Sequence, residues 1–291
     1  MIIDTTLMRS GFCDRLRQIT FGILISKLKK EKKFYIHEKK TDECPFLFTD
    51  HCNIKKIKLK KIINYKKNKV VIRMSSFDSE ISIDTIKKYF PNPYKISNYE
   101  KVLKKWKFSY REIYPNRDIK KKIKNLKLPS KYVGVHIRAT DKLVSLFTKL
   151  FELPSKTTII NSQLNLFLKS LDKQIYLNTN IKNVYLSCDD KNIKKFTLNL
   201  LKKNGFKVFF NESKFLGNKL RQTSGEDFLI DLFCLSSSKI IISSTGGGVP
   251  LTASLISNKK IIIKNFLDEI NIFYILKIFN KFIFYLRKLT K

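Results

Sequence analysis

The stretch YVGVHIRATDKLVSL, residues 132–146, decides the fold prediction. It begins as a short apolar run, which is typical of a strand buried on both faces in a parallel sheet covered by helices. It then places a His, an Arg, an Asp and a Lys within seven residues, from His136 to Lys142. Ligands of open parallel sheets bind beyond the carboxyl ends of the strands. The stretch therefore predicts a binding site at the end of a buried strand.

The rest of the chain alternates short apolar runs with helical stretches, which favours an α/β fold with doubly wound parallel sheets. The first half opens as a strand, a turn at Gly11, a helix and a second strand, and residues 41–60 are predicted to be a loop. We expect two Rossmann-like domains, over residues 1–127 and 128–264. A C-terminal amphipathic helix is predicted over residues 265–291.

The formal charge of +35 invites a nucleic-acid partner. However, only nine of the 59 basic residues are Arg, and the Lys are spread through the whole chain. Proteins that read nucleic acids favour Arg for its bidentate contacts. We therefore predict solvated lysines and no nucleic-acid partner, with a basic nucleic-acid-binding protein as the alternative from another class. The positive field still favours an anionic ligand.

Cysteine and histidine usage argues against a metal site and a disulfide framework. The chain has five Cys and three His, with no C-x-x-C pair. Reduced thiols are typical of a cytoplasmic protein. The start MIIDTTLMRSG lacks the basic and apolar regions of a signal peptide, and no run of 18 apolar residues occurs. We expect a cytoplasmic protein.

Two strand ends carry groups that suit a diphosphate. His136 and Arg138 share one face of their strand, and an Arg there can clamp a diphosphate bidentately. The turn after the strand KIII offers hydroxyls and backbone N–H groups that can cradle phosphate oxygens, or it is a turn of glycines and nothing more. Its residues are Ser244, Thr245, Gly246 and Gly247.

Two further positions leave alternatives open. Asp231 lies among apolar residues of a helix, either on a solvated acidic face or partly buried, where it would need hydrogen-bond donors such as the edge of guanine. Arg15 and Arg17 follow Gly11 on the opening helix. They face either a cleft between the domains, towards a phosphate or an acceptor, or the solvent.

VGVHIRATDK resembles the donor-site motif H-[VI]-R-x-T-D-K of α-1,6-fucosyltransferases, the group that includes the core and nodulation enzymes. VYLSCDD is similar to that family's strand ending in Asp-Asp, and LIDLFCLSSSKIIISSTGGG is similar to its segment of helix, strand and Ser-rich turn. SGFCDRLRQI resembles the Gly turn and helix of several fucosyltransferase families. The resemblance is clear over residues 130–260 and weak before residue 128.

The resemblance implies a GT-B-like inverting glycosyltransferase that uses GDP-fucose without a metal or other cofactor. The first domain would then be the acceptor side and the second the nucleotide-sugar-binding domain. The acceptor would be a glycan or a lipid-linked glycan of surface polysaccharide or glycolipid synthesis.

The resemblance also implies roles for individual residues. Arg138 would hold the β-phosphate, while His136, through its backbone, and Asp231 would contact guanine. Ser244 and Thr245 would complete the phosphate site, and Asp190 would support the pocket. The sugar or acceptor side would be lined by Asp141 and Lys142.

The sequence departs from the family pattern at two positions. The family's candidate base is a Glu four residues beyond the motif's Lys, where this chain has Leu146, so Glu152 and Asp141 are the nearest replacements. The family has a Ser at Gly247, so phosphate contact there falls to Thr245 or a backbone N–H. A degenerate transferase that binds nucleotide without turnover, or a GT-B enzyme for another nucleotide sugar, are the alternatives.

The C-terminal segment, residues 265–291, is aromatic and basic. As a membrane-surface helix it would bring the protein to the inner face of the membrane and to a lipid-linked acceptor. As a closing helix packed across the two domains it needs no membrane. We favour packing.

Overall fold

The computed structural model describes most of both predicted domains. The described residues are 2–6, 11–28, 30, 33–41, 44–62, 71–72, 99–138, 171, 173, 175, 179–213, 224–244 and 248–265. Of the helix predicted over residues 265–291, Asn265 instead ends a strand, and the remaining residues lie outside the described ones. Asp141, Lys142 and Glu152 lie outside them as well. The predicted domain boundaries stay predictions.

The described part of the first half contains a parallel sheet and a small antiparallel pair. In chain order its elements are β1 (Ile2–Asp4), α1 (Phe12–Leu28), β2 (Lys33–His37), α2 (Phe48–His51), β3 (Cys52–Ile54), β4 (Lys58–Lys61), β5 (Val71–Ile72), α3 (Tyr99–Ser109), β6 (Ile113–Pro115) and α4 (Arg117–Asn125). The parallel strands follow the order β4-β2-β1-β5, and β3 pairs with β6. The predicted β-α-β opening is confirmed.

Helix α1 covers one face of the first sheet. Gly22 faces Ile3 and Phe34, and a methyl group added to it would lie 2.1 Å from Cδ1 of Ile3. The helix and the sheet therefore approach more closely than any larger residue would allow. Most of the α1 residues are buried.

The predicted loop over residues 41–60 is wrong in part, because α2, β3 and β4 fall within it. Strand β4 reads KLKK and lies at the edge of the sheet, where it pairs with β2 alone. Its Lys residues are exposed, as edge strands commonly require. A strand with a single apolar residue carries almost no hydrophobic signal, so the pattern missed it.

The described part of the second half forms a second parallel sheet covered by helices. In chain order its elements are β7 (Val133–Ile137), β8 (Asn183–Cys188), α5 (Lys191–Lys203), β9 (Lys207–Phe209), α6 (Gly225–Ser236), β10 (Ile240–Ser243), α7 (Gly248–Ile256) and β11 (Ile262–Asn265). The strand order is β11-β10-β7-β8-β9. The chain leaves β7 towards β8 and returns to its other side at β10, which makes the ends of β7 and β10 a topological switch point.

Local signals fix the ends of the second-half helices. Asp190 caps α5 by accepting a hydrogen bond from the backbone N–H of Ile193 at 2.9 Å. Gly205 ends α5 with a φ of 78°, a left-handed conformation that favours glycine. Ser224 caps α6, and its hydroxyl also donates to Asp227 at 2.7 Å. These caps set where each helix begins and ends relative to the sheet.

An aromatic cluster joins the two halves. We define it as Phe12, Phe46 and Phe228, with ring centroids 4.9 Å apart for Phe12–Phe46, 5.8 Å for Phe12–Phe228 and 6.1 Å for Phe46–Phe228. Phe46 also lies over Gly225, the first residue of α6. A methyl group on Gly225 would lie 2.0 Å from the Phe46 ring, so only glycine fits beneath it.

Gly225→Ala is expected to lower the free energy of unfolding by about 1–3 kcal/mol, because the buried Phe46 ring must move. Helix propensity alone predicts the opposite sign, a gain of up to about 1 kcal/mol. Gly248→Ala is the matched control, since Gly248 also begins a helix but its added methyl would meet Cβ of Cys13 at 3.3 Å. Urea unfolding measures both variants. Equal losses in the two would contradict the overlap with Phe46.

Candidate functional site

Hydrogen bonds join the ends of β7 and β10 at the switch point. Nδ1 of His136 lies 3.1 Å from the hydroxyl of Ser243, and the two residues are partners in the strand register. The backbone N–H of Ser244 donates to the carbonyl of His136 at 2.9 Å. The Ser244 hydroxyl accepts from the backbone N–H of Arg138, also at 2.9 Å. Three of the sequence-predicted residues, His136, Arg138 and Ser244, are thus brought together.

A row of buried polar side chains crosses the second sheet beneath α6. Ser187, His136 and Ser243 are register partners on β8, β7 and β10, and partners in parallel strands share a face. Asp231 of α6 lies on this face, where it accepts hydrogen bonds from Tyr185 at 2.5 Å and from Ser187 at 2.9 Å. The alternative of a solvated acidic face is wrong for Asp231, which is 6% exposed.

Burial sets the protonation of Asp231. Desolvation raises its pKa to about 6, despite the hydrogen bonds from Tyr185 and Ser187 and the charge of Lys194, which lower it. The same burial and the charge of Asp231 raise the pKa of Tyr185 well above its usual value, so Tyr185 remains a donor. At neutral pH the carboxylate is ionised and held by neutral donors. It is a buried acceptor for N–H groups.

The first turns of α1 and α7 meet near this edge. Gly11 provides the carbonyl that accepts from the N–H groups of Asp14 and Arg15, which begins α1. Cys13 in the first turn of α1 lies close to Gly248, the first residue of α7, because a methyl group added to Gly248 would lie 3.3 Å from Cβ of Cys13. Helix N-termini carry partial positive charge and N–H donors. The contact therefore places two such ends side by side, one from each half.

Arg15 is buried rather than solvated, so that alternative is wrong for it. Its guanidinium donates to the carbonyl of Lys39 at 2.6 Å and to the hydroxyl of Thr41 at 2.8 Å. It thus holds the segment that follows β2. Arg17 is closer to solvent and pairs with Asp14 at 3.6 Å. Contact of Arg15 or Gly11 with a donor stays a prediction.

Asp190 has a structural task in the described chain, because its carboxylate caps α5 at the end of β8. Several predicted site residues lie outside the described residues, namely Asp141, Lys142, Glu152, Thr245, Gly246 and Gly247. Within the described ranges, no three His, Cys, Asp or Glu side chains form a cluster that would hold a metal ion. Metal independence stays a prediction.

The sequence reasoning missed Tyr185 and Ser187 as partners of Asp231. A signal was present, since NVYLSC carries two hydroxyls two residues apart, and alternate residues of a strand share a face. What the pattern did not contain was the packing of α6 onto that face.

The chain resembles solved fucosyltransferase structures across nine-tenths of its length. POFUT1 in complex with GDP-fucose aligns with a TM-score of 0.56 and 9% identity, over 91% of this chain and 97% of that chain. The NodZ α-1,6-fucosyltransferase co-crystallised with GDP aligns at 0.50 and 15% identity, over 88% and 92%. A NodZ structure from Bradyrhizobium aligns at 0.50 and 14% identity, with the same coverage.

This chain has a GT-B fold. The expected α/β, GT-B-like fold class is confirmed. At sequence identities of 9% and 15% the comparison covers the architecture and not individual residues. No protein-family model matches the sequence, and no curated protein does. Among the residues with a described structure, no helix is long and apolar enough to cross a bilayer.

Asp231 is expected to make stability depend on pH. Its folded pKa of about 6 lies above the value near 3.9 of an unfolded chain, so folding favours the protonated form. Its contribution is therefore fully present below pH ~4 and is lost as the pH rises through about 6. At 1.36 kcal/mol per pKa unit the loss amounts to roughly 3 kcal/mol.

Asp231→Asn is expected to remove this dependence, while Asp118→Asn, at an exposed position of α4, leaves it in place. Urea unfolding at pH 4.5 and 7.5 compares the two variants with the wild type. An unchanged pH dependence in Asp231→Asn would contradict the burial argument.

Proposed function

We propose that the chain is an inverting fucosyltransferase that transfers fucose from GDP-fucose to a hydroxyl of a glycan or lipid-linked glycan in surface polysaccharide or glycolipid synthesis. The observation that carries the proposal is the end of β7. His136 and Arg138 are bound there to Ser243 and Ser244 at the switch point. The GT-B structures that this chain resembles were solved with GDP and GDP-fucose.

The phosphate side of the proposed site combines a cation with backbone donors. Arg138 leaves the end of β7, and its planar guanidinium matches two phosphate oxygens. The first turns of α1 and α7 add two helix N-termini, where anions are stabilised. Thr245, Gly246 and Gly247 precede α7 in the sequence and are predicted to add further donors for a diphosphate.

The base side of the proposed site rests on Asp231. An ionised carboxylate accepts two N–H bonds at once, and guanine presents two neighbouring N–H donors on one edge. Each oxygen of Asp231 already accepts one bond, from Tyr185 or Ser187, and each has a further lone pair. This chemistry favours GDP over UDP and ADP, and it separates GDP-fucose from donors built on other bases.

The proposed reaction is an in-line displacement. The acceptor hydroxyl gives its proton to a base and attacks the anomeric carbon, while the bond from that carbon to the β-phosphate oxygen breaks. GDP leaves with the bonding electron pair, and Arg138 and the amides of the turn stabilise the added charge. Asp141 and Lys142 would line the sugar side, with Asp190 supporting the pocket through its cap of α5. No metal is required in this scheme.

Thermal shift with GDP, GDP-fucose, UDP and ADP is the direct test of donor class. We expect GDP and GDP-fucose to raise the melting temperature, and UDP and ADP to have little effect. Stabilisation by UDP or ADP instead would favour a GT-B enzyme for another nucleotide sugar. Salt-dependent DNA binding without any response to GDP would favour the nucleic-acid alternative.

Arg138→Ala is expected to lower the rate of GDP release from GDP-fucose about 100-fold. Losing a hydrogen-bond donor to the negative charge that develops on the leaving GDP costs about 3 kcal/mol. Arg138→Lys keeps the charge but loses the bidentate geometry, so it should recover only part of the rate. Arg117→Ala, at an exposed position of α4, is the matched control and should match the wild type. Undiminished turnover in Arg138→Ala would overturn the assignment.

A further inference from the structure

Two hydroxyls of β8 hold Asp231, the buried carboxylate on which the base side of the proposed donor site rests. Tyr185 donates to its Oδ1 at 2.5 Å, and Ser187 donates to its Oδ2 at 2.9 Å. The two donors are alternate residues of β8, so they share the face of the sheet that α6 covers. One donor on each oxygen fixes the plane of the carboxylate before any ligand arrives.

The Asp231 carboxylate lies close to the edge of the second sheet where ligands of parallel sheets bind. Its partner Ser187 is followed in β8 by Cys188 alone, which leaves about 3.3 Å of strand before that edge. Ser187 is also the register partner of His136 on the neighbouring strand β7. Asp231 is therefore held one strand away from the end of β7, where the proposed phosphate site begins.

Tyr185 is itself held firmly in the core. Its side chain is fully buried, and its ring centroid lies 6.4 Å from that of Tyr132. The side chain of Cys234 contacts its hydroxyl. Burial and the charge of Asp231 raise the pKa of Tyr185 well above its usual value. The hydroxyl therefore keeps its proton near neutral pH and remains a donor to the carboxylate.

Other titratable groups surround Asp231 on three elements. Burial has the largest influence on the pKa of Asp231, while Lys194 of α5 lowers this pKa and Asp227, one turn earlier on α6, raises it. Cys234 of α6 stays neutral, because burial and the charge of Asp231 raise the pKa of its thiol. His136 of β7 lies in the same row across the sheet. The two hydroxyls of β8 differ from these groups in donating to the carboxylate itself.

Losing either hydroxyl shifts the protonation of Asp231 in a known direction. Desolvation raises the pKa of Asp231 to about 6, and the hydrogen bonds from Tyr185 and Ser187 lower it, because both donors stabilise the ionised form. Without one of them the pKa rises further. The carboxyl group is then protonated at a pH where the wild type is charged, and it offers fewer acceptor sites to an N–H group.

We propose that Tyr185 and Ser187 are positioning residues that hold Asp231 ionised and oriented for the two neighbouring N–H groups of guanine, and that acid therefore weakens binding of the nucleotide sugar. The inference rests on the proposed use of GDP-fucose. A proton on Asp231 competes with the base for the same oxygens, so affinity is full above the pKa of Asp231 and is lost as the pH falls through it.

Calorimetric titration of Tyr185→Phe and the wild type with GDP-fucose is the first test. GDP-fucose is the ligand because both of its phosphates are esterified on two sides and do not titrate in this range, unlike the terminal phosphate of GDP. The ratio of the two dissociation constants cancels the titration of His136. We expect this ratio to stay within about twofold at pH 8 and to reach about tenfold at pH 5.5, because a hydrogen bond to a charged group is equivalent to about one pKa unit or more.

Tyr132→Phe is the matched control for Tyr185→Phe. Tyr132 is also buried and lies beside Tyr185, but its hydroxyl donates to the backbone carbonyl of Cys234 at 2.6 Å. A general loss of stability should appear in both variants, whereas the ratio that grows with acidity should appear in Tyr185→Phe alone. A similar growth in Tyr132→Phe, or a flat ratio in Tyr185→Phe, would overturn the positioning role.

Ser187→Ala tests the donor on the other oxygen with little change of volume, which keeps the proposal testable if Tyr185→Phe does not fold. Its affinity for GDP-fucose should also fall more steeply with acidity than that of the wild type. Ser236→Ala is the control, since Ser236 is buried on α6 and donates to the carbonyl of Phe233 at 2.8 Å. Identical pH profiles for the two Ser variants would count against the proposal.

Inosine diphosphate shows whether Asp231 reads the base or only supports the fold. It lacks the 2-amino group of guanine, so it offers one N–H group where GDP offers two. At pH 8 the wild type should bind GDP about tenfold or more tightly than inosine diphosphate, the usual effect of one hydrogen bond to a charged group. Asp231→Asn should lose most of that preference. An equal preference in Asp231→Asn and the wild type would contradict the contact with guanine.

Two failures are distinguishable. A wild type that does not bind GDP-fucose overturns the proposed function itself. A wild type that binds GDP-fucose, beside a Tyr185→Phe variant whose relative affinity does not change with pH, overturns only the positioning role.

Discussion

The contact of Phe12, Phe46 and Phe228 is the constraint on which the proposed site depends. Phe12 begins α1 and Phe228 lies in the first turn of α6, so the cluster joins the start of a first-half helix to the start of a second-half helix. Each such aromatic contact contributes about 0.5–1.5 kcal/mol beyond the burial of its surface. The ion pair of Lys122 and Glu226 also links the halves, at 2.6 Å, but both side chains are well exposed, which limits it to about 1 kcal/mol. The aromatic cluster is therefore the stronger of these two links, and it lies within a hydrophobic core that both halves share.

The proposed donor site depends on that packing, because it draws on residues of both halves. Because Phe12 is fixed, the neighbouring Cys13 lies against Gly248 and the first turns of α1 and α7 come together. The end of β7 carries His136 and Arg138, and the proposed donor site combines them with these two helix starts.

The sequence predicted the parts of this arrangement that depend on local pattern. The run VGVHI is a central strand, and Ser244 meets Arg138 as the places of both residues at strand ends suggested. The edge strand β4 was not predicted, because KLKK has a single apolar side chain. It pairs with a strand that lies 25 residues earlier in the chain, which no local pattern shows.

The rest of the site depends on packing that no local pattern records. Tyr185 and Ser187 became part of it only once α6 had placed Asp231 against them. Arg15 looked like a surface or cleft residue, yet the fold turns it towards the segment after β2.

Hydrogen–deuterium exchange with and without GDP-fucose tests the central claim most directly, that one nucleotide-sugar site is built from the end of β7, the turn before α7 and the start of α1. The account predicts slower amide exchange at residues 136–139, 243–250 and 11–15 when GDP-fucose is added. The edge strand β4 should exchange at an unchanged rate. Protection that appears elsewhere, or at only one of these segments, would contradict a site shared by the two halves.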